Sequence, residues 1–121
     1  MERRSQKYHR GRLAEAMREE IETLVEGELS DPRIGLVSVS AVQLAEDSRS
    51  ARVWVAAEGN DEEAKRSLAG LTAAAGFVRH ELGERLNLRH PPELFFQLDR
   101  SEQQQARIEE LIRRSKNKEK R

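Results

Sequence analysis

The stretch Leu68-Ala-Gly-Leu-Thr-Ala-Ala-Ala-Gly-Phe-Val-Arg-His-Glu-Leu-Gly-Glu-Arg-Leu-Asn-Leu-Arg89 decides how the chain folds. Apolar residues at Ala64, Leu68, Leu71, Ala75, Val78, Leu82 and Leu86 recur at helical spacing and keep one continuous face. Gly76 interrupts that stripe just after three alanines. A helix favours Ala over Gly by about 1 kcal/mol, so the glycine is either tolerated or used. If it is used, it places a kink that splits one long helix in two and bares the first amide groups of the second. Such amides seat a phosphate, and the small Ala74 and Gly76 would let a nucleic-acid backbone come close.

Upstream, Asn60 or Asp61 caps this helix, with Glu62 and Glu63 at the positive end of its dipole. A basic arm, residues 1–12, leads into an amphipathic helix that starts at Tyr8 or Leu13 and runs to Glu28. Its stripe is Leu13, Met17, Ile21 and Leu24. Ser30-Asp31-Pro32-Arg33 ends it, because the residue before a proline leaves helical dihedrals. Leu36–Ala45 reads as a strand with Val37, Val39 and Ala41 on one face and Ser38, Ser40 and Val42 on the other. A polar hairpin joins it to a second strand, Ala51–Ala57, with Ala51, Val53 and Val55 inward and Arg52 and Trp54 outward. Trp54 either covers the open sheet face against another element or stacks on a base.

Downstream, His90-Pro91-Pro92 stops the helical run, and Glu93–Asp99 alternates as a third strand with Leu94, Phe96 and Leu98 on one side. Ser101-Glu-Gln-Gln104 is a capping box for a last helix, residues 101–115, whose apolar face is Ile108, Leu111 and Ile112. A basic, disordered tail, 116–121, follows. The fold class is α+β, with a three-stranded sheet backed by helices on one face and a core domain over 13–100.

A chain of 121 residues supports one modest core, and equal hydrophobic and charged shares of 36% imply a densely charged surface. One Trp, one Tyr and three Phe are too few for an aromatic stacking platform as the main binding device. The absence of cysteine excludes disulfides and thiolate chemistry and suits a reducing compartment. No apolar run has signal-peptide or membrane-span character, so a soluble cytoplasmic protein is expected. Net charge is zero, but both ends are basic and the body between them is acidic. Arg3, Arg4, Lys7, Arg10 and Arg12 face only Glu2, and Arg113, Arg114, Lys116, Lys118, Lys120 and Arg121 face only Glu119. Basic ends on an acidic body suit a polyanion, though they equally describe solvated tails.

His9, His80 and His90 lie at no metal-ligand spacing, and neither a phosphate-binding loop nor a nucleophile elbow occurs. An enzyme is therefore not expected, and neither a cofactor nor a small-molecule substrate is implied. Nucleic-acid binding fares better. Arg79 falls on the first turn after Gly76, Arg85 and Arg89 follow, and with Lys7, Arg10 and Arg12 they would make a track for RNA backbone. Against this, Glu81 and Glu84 are placed to pair with those arginines. Arg33, after its rigid turn, either holds a phosphate or pairs with a nearby carboxylate.

The chain resembles the ribosome-binding factor A family from Arg10 to about Ile112. The residues that carry the likeness are Asp31-Pro32-Arg33-Ile34-Gly35, Val39–Leu44, Asp47, Ala51-Arg52-Val53-Trp54-Val55, Ala74–Arg79, Leu88-Arg89 and Pro92–Phe96 followed by Asp99. Their order along the chain, more than any single piece, is specific. The resemblance implies a type II KH-like domain in which an interhelical Ala-x-Gly kink, here Ala74, Ala75 and Gly76, replaces the GXXG loop. It further implies a bacterial assembly factor, monomeric off the ribosome and needed for growth in the cold. Such a factor binds the immature 30S subunit and assists late 16S rRNA maturation, including its 5′ end. The rival from another class is a protein-interaction module that docks through acidic helix faces, with RNA contact incidental.

Overall fold

The computed structural model describes residues 2–100 and 111–114, with side chains from His9 onward. Its elements run α1 (Glu2–Gly27), β1 (Val37–Leu44), β2 (Ser50–Ala57), α2 (Asp61–Ala73), α3 (Ala75–Leu86) and β3 (Glu93–Leu98). This is the order of a type II KH-like domain. Residues 111–114 are helical, and the remainder of the expected C-terminal helix and tail lies outside the described residues. No helix among the described residues is long and apolar enough to cross a membrane.

The sheet order is β1-β2-β3, antiparallel between β1 and β2 and parallel between β2 and β3. Ala51, Val53 and Val55 point from the central strand into the core, where Leu94 and Phe96 join them from β3. Met17, Ile21, Leu24 and Val25 of α1, Leu71 of α2 and Val78 and Leu82 of α3 close that core from the same side. The other sheet face is left to solvent, because alternation sends Arg52, Phe95 and Gln43 outward.

Three expectations need correction. First, α1 starts at Glu2 and takes in the basic arm. Residues 2–12 contain no proline to halt a helix, and their lack of an apolar stripe hid it from a reading based on periodicity. Second, β1 does not alternate cleanly. Val39 pairs with Val55 but Ala41 with Trp54, so the register shifts by one residue at Ser40. That bulge turns Ala41 outward and brings Val42 and Leu44 against the core.

Third, the helix break is real but sits at Ala74 rather than Gly76. Ala74 has φ −87° and ψ −2°. Its ψ lies far from the α-helical value of about −42°. Its N–H is shared between the Gly70 and Leu71 carbonyls at 3.1 Å each, while Val78 N–H donates to Ala74 O at 3.0 Å and starts α3. Gly76 falls within the first turn of α3, with no positive φ.

Candidate nucleic-acid interface

The two central helices begin in opposite electrostatic states. Asn60 caps α2 through a complete capping box, with Asp61, Glu62 and Glu63 in the first turn. The start of α3 has neither a side-chain cap nor an acidic residue in its first turn. A Cβ built on Gly76 would meet nothing within 4 Å, so this stretch of backbone is open. Ala74 and Ala75 are half-buried and pack against the core. Of the three kink residues, it is Gly76 that faces out.

From Gly76 an open groove of about 500 Å³ runs along α3, past Arg79, His80, Gly83, the exposed carboxylate of Glu84 and Asn87 to Arg89. The end of α3 builds its far wall. Asn87 ends the helix in the left-handed region, at φ 54° and ψ 45°, and its N–H donates to Gly83 O. Leu88 N–H donates to the same carbonyl at 2.9 Å, which turns the chain back along the helix. The Pro91 ring then rests on Gly83, where an added Cβ would sit 3.1 Å from Pro91 Cγ. Arg79 Nε donates to Pro91 O at 2.9 Å. Arg79 and Arg89, ten residues apart in sequence, thereby line one groove.

The remaining candidates do not all join them. Arg85 points to the opposite side of α3, where it meets Glu28 at 2.6 Å and Glu20 and Glu81 at 3.6 Å each. The hydrogen bond that Arg85 donates to Glu28 is the main reason its pKa is raised. Arg85 therefore fastens α3 to α1 and leaves the track. Arg33 pairs with Asp31, its Nη2 2.7 Å from Oδ2, and lines a separate groove of about 420 Å³ with Arg66, Leu36 and the carboxylates of Glu58 and Glu63. Arg33's side chain, and then its backbone N–H, hold the Asp31 carboxyl below its ordinary range. Arg10 is half-buried and Arg12 exposed on α1, Arg12 already engaged within the protein. Lys7 is helical, and its side chain lies outside the described residues.

Gly83, Asn87 and Pro91 were missed in the sequence. A second glycine one heptad after Gly76, followed by Asn87 at a helix end and the Pro91-Pro92 pair, was the available signal. No group of His, Cys, Asp or Glu among the described residues could hold a metal. Ser67 is their one buried polar residue, and its Oγ accepts from Gly35 N–H at 3.0 Å.

Fold and groove define the class: a type II KH-like α+β domain with an interhelical break where a GXXG loop would stand. The chain belongs to the ribosome-binding factor A family, whose model matches residues 9–112. It is similar to ribosome-binding factor A of Koribacter versatilis, 54% identical over 114 residues that span 94% of this chain and 93% of that protein. The Desulfitobacterium hafniense protein of the same name is 46% identical, over 93% of this chain and 90% of its own. The crystal structure of ribosome-binding factor A from Thermus thermophilus is 27% identical at a TM-score of 0.67, covering 76% of this chain and 97% of that one. Thermus thermophilus coordinates fitted into a cryo-EM map of a 30S complex are 29% identical at a TM-score of 0.59, covering 71% and 90%.

Proposed function

We propose that this protein binds the immature 30S ribosomal subunit and assists late maturation of 16S rRNA, including its 5′ end, by gripping RNA backbone without catalysis. The observation that carries the reading is the groove that brings Arg79 and Arg89 together beside the open backbone of Gly76. A helix start without cap or carboxylate favours an anion. Two guanidiniums at its flank supply contacts that position rather than specify. Family membership and the 30S complex of the Thermus thermophilus relative support the choice of partner.

Lys7, Arg10 and Arg12 extend the contact along α1, and Arg33 is a further contact at its own groove. The factor acts as a cytoplasmic monomer without a cofactor. It shifts rRNA populations toward an immature arrangement, which a binder achieves only through differential affinity for that arrangement.

A salt titration of small-subunit co-sedimentation tests this reading. Binding through phosphates weakens steeply as salt rises, and Arg89→Glu and Arg10→Glu/Arg12→Glu each lower the affinity and flatten the slope. Salt-insensitive binding that ignores these substitutions would instead point to docking through the acidic helix faces.

A further inference from the structure

Leu36 is 73% exposed, more than any other large apolar side chain among the described residues. Its exposure is built in. Gly35 N–H donates to Ser67 Oγ at 3.0 Å, and Glu58 N–H donates to Leu36 O at 2.9 Å. With the backbone pinned on both sides, the side chain stands out as a fixed ridge.

On one side of that ridge lies the Arg33 groove. On the other, an open groove of about 650 Å³ runs over the end of the sheet. Val37, Ala56 and Ala57 give it an apolar lining, and Glu58 and Asp99 are its charged residues. Among the described residues no lysine or arginine lines it, in contrast to the grooves at Arg33 and Arg79. Its Glu58-Gly59 wall leads into Asp61, Glu62 and Glu63, all exposed on the first turn of α2.

We infer that this groove docks a segment of a basic protein of the small ribosomal subunit, with an apolar side chain against Leu36 and a lysine or arginine at Glu58. The inference rests on the reading that the protein binds that subunit, and adds a protein-facing contact to the RNA-facing one. Charge selects the occupant. A carboxylate without a neighbouring cation disfavours RNA phosphates, whereas a protein seated on ribosomal RNA carries lysine and arginine to neutralise them. A second copy of the chain is disfavoured too, since a two-fold contact would set like charge against like. The two contacts do not interfere. The thirteen residues of α2 separate this groove from the start of α3 by about 20 Å. That is more than twice the screening length of about 8 Å at physiological salt.

Glu58→Lys separates the occupants by sign, because RNA in the groove would gain affinity from the change and a basic protein would lose it. Co-sedimentation with purified small subunits compares the parent with Glu58→Lys and Leu36→Ser. Both side chains are exposed, and far-UV circular dichroism checks that each variant is folded. Each is expected to bind about tenfold more weakly. Leu36→Ser should keep the parent's salt slope, since no phosphate contact is lost. A photo-cross-linker placed at position 36 then identifies the neighbour, with a small-subunit protein as the expected product. Unchanged or tighter binding by Glu58→Lys overturns the inference, as does unchanged binding by Leu36→Ser. So does a cross-link to rRNA, to a second copy or within the chain, or none at all. With the Arg89→Glu effect intact, any of these results leaves the RNA-facing contact standing, whereas a parent that fails to co-sediment removes both.

Discussion

Arg79 Nε donates a 2.9 Å hydrogen bond to the carbonyl of Pro91, tying the N-terminal half of α3 to the segment that carries Arg89. Among the described residues the bond engages one of the guanidinium's donor groups, and the rest face the groove where an anion would lie. Arg79→Ala is expected to lower small-subunit affinity about tenfold and to reduce the salt slope by about one. Co-sedimentation across a salt series measures both. The melting temperature should barely move, since the residue is exposed.

Gly76→Ala separates the two uses of the glycine. The kink resides in the dihedrals of Ala74, and a Cβ on Gly76 meets nothing within 4 Å. The variant should therefore keep the bend and gain up to about 1 kcal/mol of stability from helix propensity. Its affinity for the small subunit should fall, because a methyl group then stands where an RNA backbone would lie. A thermal melt and a binding isotherm on the same sample check both halves. Unchanged affinity would make Gly76 a bystander.

Gly70 is needed for a different reason. A Cβ there would sit 2.6 Å from Ile34 Cγ1, a branched and half-buried side chain with little freedom to yield. This close contact, with the hydrogen bond from Gly35 N–H to Ser67 Oγ, locks the Asp31–Gly35 loop onto α2. Gly70→Ala is expected to cost about 1–3 kcal/mol in denaturant unfolding. Adding Ile34→Ala should recover part of the overpacking cost, a coupling that a double-mutant cycle isolates.

Asp31 gives a pH signature. The Arg33 side chain, followed by the Arg33 backbone N–H, lowers its folded pKa. A depressed carboxyl contributes stability above its unfolded pKa and loses it as pH falls through the folded value. Asp31→Asn should therefore melt below the parent at neutral pH. The gap should close in acid, once the pH passes below the ordinary carboxylate range. Melting curves across that window decide it, and a gap that persists unchanged in acid removes Asp31–Arg33 as its cause.

Much of this architecture is legible in the sequence because local and global signals agree. Asn60 and Glu63 spell the capping box that the structure forms, and Val53, Val55, Leu94 and Phe96 alternate as their strands require. What escaped depends on tertiary partners or on one-residue offsets. The pairing of Arg85 with Glu81 is visible in helical spacing, but nothing in sequence marks Glu20 and Glu28, which draw it toward α1. Arg79 and Arg89 converge only because Asn87 turns left-handed and Pro91 settles on Gly83. Small or apolar residues in both phases of Val37–Leu44 left the bulge invisible.

That bulge yields a direct test of register. In the structure Ala41 faces out beside Trp54, and Val42 faces the core opposite Val53. Uninterrupted alternation would reverse them. Aspartate is equally unsuited to a strand at either position, so the difference between the two variants isolates burial. Val42→Asp should cost about 2 kcal/mol, because a short carboxylate there is turned against the apolar core and largely withdrawn from water. Ala41→Asp should cost only its strand propensity, about 1 kcal/mol or less. Urea unfolding of both variants measures the difference. A costlier Ala41→Asp would mean that β1 pairs with β2 in the unbulged register.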